Sequence, residues 1–297
     1  MQSKIKPSMM AIKILVCLVV LISLTNHSHG GTISVYWGQN QNEGSLADAC
    51  ATRNYAIVNV AFLSTFGGGR TPALNLAGHC SNGGCAGLSK DIKACQGGGV
   101  KVMLSIGGDS TSYSLSSSDD ARKVADYLWN NFLGGQSNTR PLGDAILDGI
   151  DFAIIVGSTQ YYDDLAKALS SKTNVYLTAA PQCPFPDKWL SASLNTGLFD
   201  SVWIQFYNNP VCEYSTSDPN SFKNSWTQWT QSIQAGKLFV GLPASEDAAN
   251  NGHIPTEVVK SEVLPFVKTS PKYGGIMLWD RYHDKLSGYS DAVKSSV

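Results

Sequence analysis

Short runs of apolar and β-branched residues recur along the chain from residue 31 onward. Each run is followed by a loop rich in Gly, Asn, Ser or Pro and then by a helical pattern. The runs predict eight strands, at 33–37, 57–62, 101–106, 147–154, 174–179, 201–206, 237–242 and 275–279. Helices are predicted at 119–132, 160–170, 224–233 and 256–267.

Strands that alternate with helices in one undivided stretch favour a parallel sheet closed on itself. The predicted fold class is therefore α/β, a single (β/α)8 TIM barrel over 31–297. An open, doubly wound sheet is the alternative, but the first strand runs into Trp37, Gly38, Gln39 and Asn40 without a Gly-rich phosphate-binding fingerprint.

The first thirty residues have a different pattern. Three lysines, at 4, 6 and 13, accompany an apolar run over 12–24, and a stretch of small and polar residues follows. This predicts a secretory signal peptide over 1–30. A membrane anchor is the alternative, although the run is shorter than the roughly 20 residues that a transmembrane helix needs. We therefore expect a secreted protein, in the extracellular space or apoplast, or in the vacuole.

The composition of the 297 residues is that of a globular protein, 43% hydrophobic and 15% charged, with a net charge of −1. It excludes a disordered chain, a coiled coil and a basic tail. Loss of residues 1–30 would remove three lysines and no acid, which leaves a net charge of about −4. A nucleic-acid partner is therefore not expected, nor is a membrane partner after cleavage.

Six of the seven cysteines lie beyond the signal peptide, and an even number in a secreted chain predicts disulfides. They are Cys50, Cys80, Cys85, Cys95, Cys183 and Cys212. Six cysteines allow fifteen pairings, and the residues alone do not choose among them. Only His79 lies beside them in the sequence. We therefore expect no metal site, and no cofactor.

In a (β/α)8 barrel the chemistry lies at the carboxyl ends of the strands. Those ends are rich here in Tyr, Trp, Asn, Gln and Gly and poor in ionisable groups. Flat aromatic faces and forked amides are typical of a sugar-binding site. Neither a Ser/His/Asp order nor a zinc-protease motif is found there.

Several segments resemble one family, the plant class III chitinases of hevamine type in glycoside hydrolase family 18. They are 36–40 together with 43–44, 77–80, 101–108, 125–129, 177–184, 205–210 and 272–279. The resemblance implies the disulfides Cys50–Cys95, Cys80–Cys85 and Cys183–Cys212. It also implies a substrate-binding groove lined by Tyr36, Gln39, Asn75, Gln205, Tyr207, Asn208 and Trp279. Asp109 stands where the family pattern has a glycine, and we expect it to add a polar wall to that groove. A solvated loop charge and a proton donor are the alternatives for it.

The sequence departs from the family at its catalytic signature, D-G-x-D-x-D-x-E. The first two acids are present as Asp148 and Asp151, whereas the third position is Ala153 and the glutamate position is Ile155. In the family that glutamate protonates the leaving oxygen, while the acetamide of the sugar attacks its own anomeric carbon. Isoleucine has no proton to give, and loss of general acid catalysis costs about 10²–10⁴-fold in rate. This predicts a protein without catalytic residues that is not an enzyme.

The predicted function is that of a catalytically inactive, lectin-like chitinase relative. It would bind N-acetylglucosamine or chito-oligosaccharides, with a part in plant defence. An inhibitor of microbial xylanases or other glycosidases is the first alternative, since xylanase-inhibitor proteins are related to this family. A seed storage protein is another. An active endochitinase is disfavoured by Ala153 and Ile155.

Overall fold

The computed structural model describes residues 30–80 and 84–297, so the predicted signal peptide lies almost wholly outside the described residues. Eight parallel strands form the barrel. They are β1 (Thr32–Trp37), β2 (Ile57–Thr65), β4 (Lys101–Gly108), β5 (Gly149–Ile154), β6 (Tyr176–Ala179), β7 (Ser201–Gln205), β8 (Lys237–Pro243) and β9 (Tyr273–Trp279). Each coincides with a predicted strand to within a few residues, and the predicted fold is confirmed.

The sheet closes because β1 pairs with strands on both of its sides. Ser34 is in register with Ile57 of β2, and Thr32 is in register with Gly275 of β9. A short additional strand, β3 (Ala73–Leu74), pairs antiparallel with the end of β2. The sequence pattern did not predict β3, because two residues are too few to show a period.

Helices surround the barrel. They are α1 (Leu46–Ala51), α2 (Ser89–Gly97), α3 (Ser118–Phe132), α4 (Tyr162–Ser170), α5 (Ser191–Leu194), α6 (Pro219–Ser232), α7 (Thr256–Val258), α8 (Leu264–Val267), α9 (Arg281–Ser287) and α10 (Tyr289–Val293). A π-helical turn, Val259–Val263, joins α7 to α8. Helix α6 begins five residues before its prediction, because the Asp218 side chain caps it by accepting from the Asn220 amide and Pro219 occupies its first position.

The barrel has two separate cores. The larger lies between the strands and the helices, and it includes Val35, Leu104, Leu128 and Trp229. The smaller fills the inside of the barrel. Its buried members are Tyr36, Ile57, Ala61, Phe62, Met103, Ala153, Ala180, Trp203, Phe239 and Met277. Because strand side chains alternate between the two faces, one set of strands supplies both cores.

Three disulfides are present, and they are the pairs that the family resemblance implied. Cys50–Cys95 joins α1 to α2, Cys80–Cys85 closes a short loop, and Cys183–Cys212 ties the segment after β6 to the segment after β7. Over residues 30–80 and 84–297, no helix has both the length and the apolar character required to cross a membrane. Within the same ranges, no three His, Cys, Asp or Glu side chains group so as to hold a metal ion.

Candidate functional site

A groove of about 480 Å³ opens at the carboxyl ends of the barrel strands. This volume lies within the range of small-molecule sites. All eight side chains that the sequence analysis assigned to a binding site line it, namely Tyr36, Gln39, Asn75, Asp109, Gln205, Tyr207, Asn208 and Trp279. Sequence reasoning had not singled out Phe62, Ser64, Ser110, Gln182 and Ala248, which line the groove as well. The structure thus brings the predicted residues together, while their roles in binding stay a prediction.

Below the groove lies Asp151, a fully buried carboxylate. Its Oδ2 accepts from the hydroxyls of Tyr36 at 2.7 Å and Ser105 at 2.6 Å. Its Oδ1 accepts from the hydroxyl of Thr178 and the indole N–H of Trp203, both at 2.7 Å. Burial raises the pKa of Asp151, and the four donors oppose that shift. Each oxygen thus has two donors that stabilise the ionised form, but burial outweighs them and the pKa of Asp151 stays raised.

Trp203 therefore has a role that sequence reasoning missed. A tryptophan in the middle of a barrel strand is expected to be core, and Trp203 is indeed fully buried. Its N–H, however, binds Asp151, and its ring packs edge-on against Phe239 at 4.7 Å between centroids. It supports the floor of the groove from below rather than lining it.

Three aromatic rings form one wall of the groove. Trp279 and Phe62 are stacked, with centroids 6.1 Å apart and planes 22° apart. Tyr36 packs against both, at 5.4 Å from Trp279 and 6.0 Å from Phe62. Burial raises the pKa of Tyr36 well above its ordinary value, and the adjacent Asp151 charge adds to the shift, so its hydroxyl is a donor. Phe62 could have been predicted from the sequence as a groove residue, since it is the last residue of a predicted strand.

Two glutamines of the groove have their N–H groups engaged by backbone. The Nε2 of Gln39 donates to the carbonyls of Ala61 at 2.6 Å, Gly38 at 3.0 Å and Asn75 at 3.1 Å. The Nε2 of Gln205 donates to the Ala180 carbonyl at 2.6 Å. The two amide carbonyl oxygens are thus left to accept hydrogen bonds from a ligand.

Two asparagines are oriented the other way. The Oδ1 of Asn208 accepts from the backbone amide of Asn250 at 2.9 Å, and the Oδ1 of Asn75 accepts from that of Ala77 at 3.2 Å. Their NH₂ groups are thereby left to donate. The lining accordingly combines acceptors from two glutamines with donors from two asparagines, a set that matches sugar hydroxyls and acetamides.

A buried carboxylate fixes the loop that carries Gln39. The Oε1 of Glu43 accepts from the amides of Gly38 at 2.8 Å and Asn40 at 3.0 Å, the two residues that flank Gln39. His79 Nε2 lies 2.9 Å from the same oxygen. Sequence reasoning gave Glu43 no role, although Glu43 and Gly44 are among the residues that carry the family resemblance.

The two positions at which the sequence departs from the family lie in the groove. Ala153, on β5, is in register with Gly107 of β4, and Ile155 follows the end of β5. Both side chains line the groove. The hydroxyl of Tyr113 accepts from the amide of Ile155 at 3.3 Å and donates to the Gly108 carbonyl at 2.8 Å, so the backbone here is anchored.

The remaining acid of the signature, Asp148, serves a structural purpose. It precedes β5, at the end of the barrel opposite the groove, and its Oδ2 accepts from the Val102 amide at 2.8 Å and from Gln96 Nε2 at 2.9 Å. Among the described residues that line the groove, Asp109 is the one that carries a carboxylate.

Comparison with known proteins places this fold and site in one class. The family model described as glycosyl hydrolases family 18 matches residues 32–262. The chain is 64% identical to an acidic endochitinase of Nicotiana tabacum over 272 residues, which cover 90% of this chain and 92% of that protein. The chain therefore belongs to glycosyl hydrolase family 18.

The solved structures similar to this chain belong to proteins with different named functions. A chitinase from Ipomoea carnea matches with a TM-score of 0.87 at 51% identity, over 90% of this chain and all of that one. A xylanase–α-amylase inhibitor protein matches with a TM-score of 0.85 at 48% identity, over 90% and 98% of the two chains. A tamarind chitinase-like lectin matches with a TM-score of 0.79 at 35% identity, over 89% and 99%.

The prediction that the chain is not an enzyme is wrong by this comparison. Curated relatives that share 54–64% of their residues with it are named endochitinases. The prediction rested on Ala153 and Ile155 alone, whereas the similarity extends over nearly the whole described barrel.

Proposed function

We propose that the groove at the carboxyl end of the barrel binds chito-oligosaccharides through N-acetylglucosamine units. The observation that carries the proposal is the convergence of eight predicted side chains, from several strand ends and loops, on one groove of suitable volume. An aromatic wall suits the C–H face of a pyranose ring, and oriented amides suit its polar edge. The similarity to a chitinase-like lectin supports a carbohydrate ligand.

Within this groove the half-buried Trp279 would stack on a sugar ring. Its neighbours Phe62 and Tyr36 hold its orientation, so the ring is in place before the ligand arrives. The carbonyl oxygens of Gln39 and Gln205 would accept from sugar hydroxyls or from an acetamide N–H. The NH₂ group of Asn208 would donate to a hydroxyl or an acetamide oxygen.

Titration with chitotetraose, followed by tryptophan fluorescence, tests the proposal. We expect a saturable change with an affinity between millimolar and micromolar, and we expect Trp279→Ala to abolish it. Trp129→Phe is the matched control, because Trp129 lies on the outer helix α3 away from the groove, and it should leave binding unchanged. Unaltered binding by Trp279→Ala would refute the proposed site, and absence of any saturable change would refute the function.

The names of the relatives make hydrolysis the activity to measure in the same samples. Ile155 cannot protonate a leaving glycosidic oxygen, so on this chain that proton would have to come from another group. Among the described lining residues, Asp109 is the carboxylate available for it. Release of shorter sugars from chitotetraose, measured alongside binding, reports the two properties separately.

Inhibition of a foreign glycosidase is the second candidate. It is favoured by the similarity to the xylanase–α-amylase inhibitor protein at 48% identity. Inhibition of a family 10 or 11 xylanase, or of an α-amylase, would support it. An effect that persists in Trp279→Ala would place the inhibitory surface outside the groove.

Secretion to the apoplast or vacuole, with a part in plant defence, completes the proposal. The signal-peptide pattern over 1–30 and the three disulfides support it. Detection of the processed chain in apoplastic fluid would test the location.

A further inference from the structure

Asp109 is an exposed carboxylate that lines the groove, and its side chain takes no part in the hydrogen bonding of the described barrel. It follows the end of β4, beside the strand end that carries Ile155. None of the hydrogen bonds or ion pairs found among residues 30–80 and 84–297 involves its side chain. The other acids near the site differ in this respect: Asp151 accepts from four donors, and Glu43 from two backbone amides and His79.

The lining offers nothing to neutralise this charge. Among the described residues that line the groove there is no Lys, Arg or His, so Asp109 gives the lining one negative charge without a counterion. The nearest positions on the neighbouring strand, Ala153 and Ile155, are apolar. Adjacent strands lie about 4.8 Å apart, so a group bound over these two side chains comes within reach of the Asp109 carboxylate.

We infer that the groove prefers a chito-oligosaccharide with a free amine at the sugar beside Asp109, that is, a partly deacetylated one. This inference rests on the proposed function. An ammonium group on a glucosamine unit would supply the missing counterion and donate to the carboxylate. A neutral acetamide at the same position leaves the charge unpaired.

The size of the effect follows from the exposure of the pair. Exposed ion pairs contribute about 0.2–1 kcal/mol, and salt screens them. We therefore expect the charge of Asp109 to favour the tetramer of glucosamine over chitotetraose by about 1.4- to fivefold at low salt, since 1.4 kcal/mol corresponds to about tenfold. In 0.5 M sodium chloride this contribution of the charge should be largely lost.

The test compares both tetramers, by calorimetry, on the wild type and on Asp109→Asn. The amide has nearly the same shape without the charge, so the ratio of the two affinities, glucosamine tetramer over chitotetraose, should fall by that factor relative to the wild type. Asp126→Asn is the matched control, since Asp126 is an exposed acid on α3 that pairs with Lys172, and it should keep the wild-type ratio.

Three results would overturn the inference. One is an Asp109→Asn protein that keeps the wild-type ratio of affinities, and another is a control that loses it. The third is a wild-type ratio that 0.5 M sodium chloride leaves unchanged, and binding of chitotetraose in that case leaves the proposed function intact. Failure of both tetramers to bind would instead refute the proposed function itself.

Discussion

The hydroxyl of Tyr36 donates to the Oδ2 of Asp151 at 2.7 Å, which joins a residue of the groove lining to a fully buried carboxylate. Ser105 shares the same oxygen, while Thr178 and Trp203 occupy the other. The four donors come from four different strands, so Asp151 ties the inside of the barrel together beneath the groove. Asp151 therefore contributes to the stability of the barrel and to the position of Tyr36.

Replacement of Asp151 by Asn should destabilise the barrel. An amide has one acceptor oxygen, so two of the four donors would face an NH₂ group, where a hydroxyl must reverse its hydrogen bond and the Trp203 N–H would lose its partner. Each buried donor left unpaired costs about 1–3 kcal/mol, and we expect the free energy of unfolding to fall by about 2–4 kcal/mol. Urea unfolding of the wild type and of Asp151→Asn measures this difference in the free energy of unfolding. Loss of less than about 0.5 kcal/mol would show that these bonds contribute nothing.

The same pair of proteins should reveal the titration of Asp151. Because burial raises its pKa in the folded state, the folded state holds this proton at pH values where the unfolded state has lost it. The stabilisation that comes from protonated Asp151 is therefore fully present below the ordinary pKa of aspartate. It is lost as the pH rises through the raised pKa of the folded state. Asn does not titrate, so the deficit of Asp151→Asn relative to wild type should be larger near pH 4 than near pH 7. A deficit that grows with pH would contradict the assignment.

Glu43 should matter for ligand binding although it lies outside the groove lining. Replacement by Ala would release the amides of Gly38 and Asn40 on both sides of Gln39. We expect chitotetraose affinity to fall about tenfold and the free energy of unfolding to fall by about 2–4 kcal/mol. Glu43→Gln keeps an acceptor oxygen and should lose less of both. Equal losses in the two variants would show that the charge, rather than the hydrogen bonds, fixes the loop.

The sequence was sufficient for the barrel because each strand is a short β-branched run bounded by turn residues, a local signal. It also located the groove, since in this fold the strand ends meet on one face. The convergence of Ser105, Thr178 and Trp203 on Asp151 was not predictable in this way. Each is a single polar group within an apolar strand, and which carboxylate it meets depends on the register of strands far apart in the chain.

The orientation of the groove amides has the same long-range origin. Gln39 presents its carbonyl oxygen because backbone carbonyls from its own loop and from the segments around Ala61 and Asn75 take its N–H groups. Asn75 itself directly follows the two-residue strand β3, which no periodic pattern predicts. The residue types of the site could be predicted from the sequence, but the direction of their donors and acceptors required the fold.

The two apolar positions of the signature, Ala153 and Ile155, can be changed back to the acids of the family pattern. Restoring the acids with the double variant Ala153→Asp and Ile155→Glu places a proton donor beside the groove, on backbone that Tyr113 already anchors. The matched control is Ala153→Asp with Ile155→Gln, which has nearly the same shape but no acidic proton. General acid catalysis contributes about 10²–10⁴-fold, so the glutamate variant should release shorter sugars from chitotetraose faster than its control by that factor. Equal rates in the two proteins would show that position 155 does not reach the glycosidic oxygen of the bound sugar.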